Sequence, residues 1–142
     1  MTAGPDASLP TSTILAAEPQ LFARDLDQSR KFYRRKLGFT VVFSFGEPTF
    51  YMQVARDGAR LNLRHVDGPV FDRRFRDREP DALSATLTLD DAESLFYEFE
   101  RAGVEFHRPL VDEPWGARTF IVRDPDGNLL CFAGPVSSGH EV

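Results

Sequence analysis

The side chains in this sequence able to do chemistry fall on a few predicted strands. Period-two alternation places Glu18 and Gln20 with Phe22, Asn62 with Arg64, and Ser84 with Thr86 and Cys131 on strand faces turned away from the helices. Glu18 is the one good hard-metal ligand of the set and also its candidate general base. Asn62 and Ser84 are neutral side chains, and Cys131 carries a soft thiol. The three histidines do not complete a two-histidine, one-carboxylate set. His65 alternates away from Asn62 and Arg64, His107 follows the second helix, and His140 lies in the tail. Arg64 suits a carboxylate, unless Glu18 consumes Arg64 or Arg60 in an ion pair across the sheet. Cys131, between Leu130 and Phe132, reads as an inert buried thiol. Trp115 sits in a Glu-Pro-Trp-Gly loop, where it either stacks a flat ring or cation or plugs the end of the sheet. Tyr51, Gln53 and Phe45 fit the same lining, although a one-residue change of strand phase would turn them away.

These residues are positioned by a sequence that repeats itself. "LFARDLDQSRKFYRRKLGFTV" from Leu21 aligns without a gap on "TLTLDDAESLFYEFERAGVEF" from Thr86, matching Asp25 to Asp90, Ser29 to Ser94 and Gly38 to Gly103. "RDGARLNL" and "PDGNLLCF" extend the match, with Asp57-Gly58 on Asp126-Gly127. Each unit reads strand, helix, then three strands, the first from about residue 14 to 67 and the second from about 83 to 133. Leu26, Phe32, Tyr33 and Leu37 form one buried helical stripe, and Leu95, Phe96, Phe99 and Ala102 the other. Asp25 and Asp90 are expected N-caps, with Gln28 and Glu93 completing capping boxes, and the two Asp-Gly pairs are expected to make tight hairpins. Residues 68–82 form a charged connector, read as a solvated linker anchored by Phe71 and Phe75, with a flap over a pocket as the alternative.

Alternation also separates two sheet faces. Leu21, Ala23, Leu61, Leu63, Ala85, Leu87, Leu89, Leu130 and Phe132 belong under the helices. The opposite face collects the polar set, and a curled sheet carrying it on the concave side makes a cleft suited to a small molecule. The fold class is therefore α+β.

The 142 residues, 42% hydrophobic and 27% charged, fit one domain with one core. A net charge of −5 argues against nucleic acid and is compatible with a cationic small molecule. One cysteine excludes an internal disulfide and suits a reducing compartment. There is no membrane-spanning apolar run, and "MTAGPDASLPTST" is not a secretory signal, so the cytoplasm is expected, with flexible tails at 1–13 and 135–142.

"ARDLDQSRKFYRRKLGF" and "PWGARTFIVRDPDGNLLCF" resemble the vicinal oxygen chelate superfamily, which holds glyoxalase I, extradiol dioxygenases, fosfomycin-inactivating enzymes and bleomycin resistance proteins. The resemblance spans residues from about 14 to 134 and implies two βαβββ modules in a curled mixed sheet around a cleft, helices outside, commonly as dimers. It also implies that the metal enzymes' ligand positions are held here by Glu18, Asn62, Ser84 and Cys131, a set unsuited to a divalent ion. That pattern is similar to the bleomycin resistance type, and Pro19 falls where those proteins carry a proline associated with arm exchange between subunits. The implied function is metal-independent sequestration of an aromatic or amphipathic ligand, antibiotics included, by a homodimer with no cofactor and no catalytic residue. Glu18, Gln20, Phe22, Asn62, Arg64 and Trp115 would line the site, with Ser84 and Cys131 as its floor. The alternatives are a lyase or dioxygenase-like enzyme using Glu18 as base or metal ligand, and a dimeric accessory protein with no specific ligand.

Overall fold

A computed structural model describes residues 9–136. The expected tails therefore fall partly outside the described residues, and His140 lies wholly outside them. The first module contains β1 (Gln20–Ala23), α1 (Leu26–Arg35), β2 (Thr40–Phe45), β3 (Tyr51–Arg56) and β4 (Ala59–His65). A connector carrying the short α2 (Arg73–Arg78) leads to β5 (Ala85–Thr88), α3 (Ala92–Arg101), β6 (Phe106–Asp112), β7 (Ala117–Arg123) and β8 (Leu129–Pro135).

Each module is a four-stranded mixed sheet, ordered β1-β4-β3-β2 and β5-β8-β7-β6. In each the first strand pairs parallel with the last, Gln20 opposite Asn62 and Thr86 opposite Cys131, and the other pairs are antiparallel. This α+β architecture of two βαβββ units is the one the repeat and the resemblance imply.

The helices form where the stripes predict, each burying one face against its own sheet. Tyr33, Leu37 and Phe99 are fully buried, and the helix-side residues of both modules merge into one core. Phe120 stacks on Phe132 with ring centroids 5.1 Å apart, and Phe99 meets both rings edge-on. Asp25 caps α1, its carboxylate accepting from the Gln28 amide.

The structure corrects two expectations. α3 is capped by Asp91, not Asp90: the Asp91 carboxylate accepts both the Ser94 amide and the Ser94 hydroxyl, a pair of bonds that Asp90 does not make. Asp57-Gly58 makes the predicted two-residue hairpin, with Asp57 at φ +50°, but Asp126-Gly127 lies in a longer loop between β7 and β8. The Asp124 carboxylate organises that loop by accepting the amides of Asp126 and Asn128.

The connector is tied down. The Arg76 guanidinium lies 4.3 Å over the Phe71 ring and donates to the carbonyls of Glu79, Ala82 and Gly127. Among the described residues no helix is long and apolar enough to cross a membrane.

Candidate functional site

The first module's open face is built in rows set by strand register. One row runs Phe22, Arg64, Tyr51, Phe45 across β1, β4, β3 and β2. The next runs Gln20, Asn62, Gln53, Phe43. The register thus settles the phase of β3 and brings Tyr51, Gln53 and Phe45 onto the face with Gln20, Phe22, Asn62 and Arg64.

The two rows differ in chemistry. Phe22, Phe43 and Phe45 are 36%, 43% and 65% exposed, and Phe43 leans on Tyr51 with centroids 5.9 Å apart. Solvent-facing rings at that density are a patch in need of a partner surface or ligand. The second row centres on the buried Gln53 amide. Its Nε2 donates to Glu18 Oε1 at 3.1 Å and to Asn62 Oδ1 at 2.9 Å, while its Oε1 accepts from Arg60 Nη1 at 3.1 Å. The expected ion pair of Glu18 with Arg60 or Arg64 is therefore absent from the described residues. The Gln53 amide stands between Glu18 and Arg60 and makes one hydrogen bond to each. Arg64, exposed and flanked by Phe22 and Tyr51, has no hydrogen-bond or ionic partner among the described residues.

The second module presents a different face. Thr86, Cys131 and Ile121 stand in one row, and Ile121, Leu129 and Cys131 form a small buried cluster separate from the main core. Burial raises the Cys131 thiol above its ordinary range, which makes it a poor nucleophile and a poor metal ligand at neutral pH. Beside it Arg108 Nη2 donates to Glu113 Oε2 at 2.6 Å and to Thr119 Oγ1 at 2.8 Å, and that hydroxyl donates to Glu113 at 2.9 Å. Sequence reading missed this cluster. Trp115 is 73% exposed in the loop before β7, so it does not plug the sheet end.

A buried polar chain joins the modules beneath these faces. Tyr33 donates its phenol to Asp124 Oδ2 at 2.8 Å. Asn128 Nδ2 donates to Asp124 Oδ2 at 2.8 Å and to the Phe22 carbonyl at 3.0 Å, and the Ser84 hydroxyl donates to Asn128 Oδ1 at 3.2 Å. Asp126 accepts the Arg24 amide at 3.0 Å. The Asp-Pro-Asp-Gly-Asn loop thus fixes β1, and with it Phe22, relative to Ser84. Removal from water raises the Asp124 carboxyl, against the pull of these donors.

The residues at the four inward positions do not fit a divalent metal. Glu18 is engaged by Gln53 and Ser84 by Asn128, and the positions divide between two sheets that share no strand pairing. No three His, Cys, Asp or Glu side chains converge among the described residues.

A groove of about 800 Å³ separates the modules, lined by Ala17 and Pro19, by Ala59, Arg60 and Leu61 of β4, and by the length of β5. β5 is an edge strand, and β1 begins only opposite Asn62, so both walls offer unpaired backbone. Residues 9–18 lie exposed outside any helix or strand, with Ile14 and Leu15 91% and 93% exposed.

The model of the Glyoxalase/Bleomycin resistance protein/Dioxygenase superfamily matches residues 15–132. A bleomycin resistance protein of Geobacillus stearothermophilus is 27% identical over 139 residues, which covers 88% of this chain and all 100% of the relative. Among solved structures, a bleomycin resistance determinant encoded on the transposon Tn5 superposes with a TM-score of 0.70 at 25% identity, over 87% of this chain and 100% of that one. A bleomycin-binding protein from bleomycin-producing Streptomyces verticillus, complexed with copper(II)-bleomycin, gives 0.68 at 25% identity, over 89% and 100%.

Proposed function

The chain belongs to the glyoxalase/bleomycin resistance protein/dioxygenase superfamily, and on that premise we propose that it is a small-molecule binding protein, sequestering an aromatic or amphipathic ligand without a metal ion. One observation carries this reading: the first module's open face sets exposed aromatic rings in register beside a fixed amide–carboxylate group. Rings supply non-directional affinity and the polar row supplies orientation, the usual division of labour in a ligand site. Glu18, Gln20, Phe22, Asn62 and Arg64 form one wall, and Ser84, Cys131 and Trp115 belong to the second. The similarity to a bleomycin resistance protein and to a bleomycin-binding protein supports the reading, and bleomycin is a natural first compound to try.

The working unit is a homodimer in the cytoplasm. The exposed apolar arm of residues 9–18 and the groove between two unpaired strand edges support this, because an arm from a second copy would satisfy both walls of the groove.

Calorimetric titration of metal-free bleomycin and a panel of aromatic amphiphiles, with recovery of each compound afterwards, tests the function. Saturable binding at one site per subunit, unchanged by a chelator, with the compound recovered intact, is the expected result. Conversion of a compound would replace sequestration with catalysis, and loss of binding on chelation would overturn metal independence.

A further inference from the structure

We infer that the ligand taken by this face is an aromatic acid: a flat ring carrying a carboxylate or comparable anionic group, with the anion on the Arg64 guanidinium. The inference rests on the binding reading above and narrows it to a chemical class.

Glu18 Oε1 accepts from the Gln53 amide, and Arg60 Nη1 donates to the other end of the same amide. Arg64 differs from Arg60 in having no hydrogen-bond or ionic partner at all among the described residues. An exposed arginine is ordinarily a solvated surface group, but its neighbours make this one different. Register places Phe22 on one side of it and Tyr51 on the other, with Phe45 completing the row. A ligand ring laid on those side chains would strip water from the guanidinium. A buried cation is tolerated only with a paired anion, and the planar fork of arginine matches a carboxylate in two parallel bonds.

The opposite charge is a worse fit. A cationic group laid on the aromatic row would sit against an uncompensated guanidinium. Glu18 lies outside that row, and one of its oxygens already accepts from the Gln53 amide. The net charge of −5 over the whole chain thus says little about this face.

The test uses three probes of one shape, 2-naphthoate, 2-naphthamide and 2-naphthylmethylammonium, titrated calorimetrically into the full chain and into Arg64→Gln, Arg64→Lys and Arg74→Gln. Arg74 is an exposed arginine of α2, and its replacement controls for bulk charge. The acid should bind about tenfold more tightly than the amide, and the ammonium most weakly. Arg64→Gln should abolish the preference for the acid by weakening the acid far more than the amide, Arg64→Lys should keep part of the preference, and Arg74→Gln should change nothing. Tighter binding of the ammonium, or an acid preference that survives Arg64→Gln, overturns the inference while sparing the binding reading, as does equal binding of all three. Failure of every probe to bind saturably overturns the inference, and the binding reading then stands or falls with the bleomycin titration.

Discussion

The Tyr33 phenol donates to the Asp124 carboxylate at 2.8 Å across 91 residues of sequence, joining the helix of the first module to the last hairpin of the second. Both groups are buried, and Asp124 also holds Asn128, whose amide grips the Phe22 carbonyl. The bond therefore lies on the path that sets β1 and the first aromatic of the open face.

Tyr33→Phe leaves a buried carboxylate oxygen short of one donor and should lower stability by about 1–3 kcal/mol near neutral pH. The gap should depend on pH with a defined sign. Burial, with Asp124 beside it, holds the phenol well above its ordinary value of 10.0. Above pH 10 the unfolded chain gives up that proton while the folded chain keeps it, so wild-type stability falls as pH rises. The phenylalanine variant lacks this term. Urea midpoints of the two proteins between pH 8 and 11 should converge above pH 10; a constant separation would contradict the burial of the phenol.

Gln53 works because it offers a donor to one side and an acceptor to the other. Gln53→Glu removes the donor and sets a second carboxylate against Glu18. The Arg60 contact offsets part of the repulsion. The variant should lose about 1–2 kcal/mol at pH 8 and recover most of it near pH 4, because a pair of crowded carboxylates holds a proton more tightly than the unfolded chain does. Denaturant melts at the two pH values decide it, and an equal loss at both would show that Glu18 is not the neighbour that matters.

What could be read in the sequence follows the same physics. Alternation put Leu61 and Leu63 inside and Asn62 and Arg64 outside, because one buried face forces the register. It left the phase of β3 open, and so did not show that Gln53 separates Glu18 from Arg60. Asp90 was the wrong N-cap because adjacent aspartates cap equally well until a helix chooses its first residue, and α3 chose Asp91. The Arg108–Glu113–Thr119 cluster was out of reach for another reason. β6 slips register between Phe106 and Arg108 and again between Arg108 and Val111, and strict alternation cannot be carried through a bulge.

Cys131 provides a probe of the second face. Only 7% exposed, its thiol pushed up by burial, it should resist Ellman's reagent in the native protein at pH 8 and react at once in guanidinium. A native rate at least about 100-fold slower than the unfolded rate is expected. Prompt stoichiometric reaction in the native state would mean that the cluster of Ile121, Leu129 and Cys131 opens to solvent, and that the floor of the second wall is not fixed.

The arm before β1 bears on how the two walls meet. Within one chain they belong to two sheets with no strand pairing between them, and the groove that divides them is flanked by unpaired edges of β4 and β5. Ile14 and Leu15 are almost wholly exposed, so they add nothing to the core of their own chain. If a second copy buries them, each contributes about 1.5–3 kcal/mol, and a symmetric dimer counts each side chain twice. The double substitution Ile14→Asp, Leu15→Asp should therefore turn a dimer into a monomer at micromolar concentration without unfolding it. Light scattering after size exclusion reads the mass, and far-ultraviolet circular dichroism checks that the two sheets remain. If the wall residues of different copies also meet across that interface, the monomer should lose ligand binding although every wall residue is unchanged. A double variant that stays dimeric would exclude the arm as the connection. A monomer that binds with undiminished affinity would place the whole site within the first module's face.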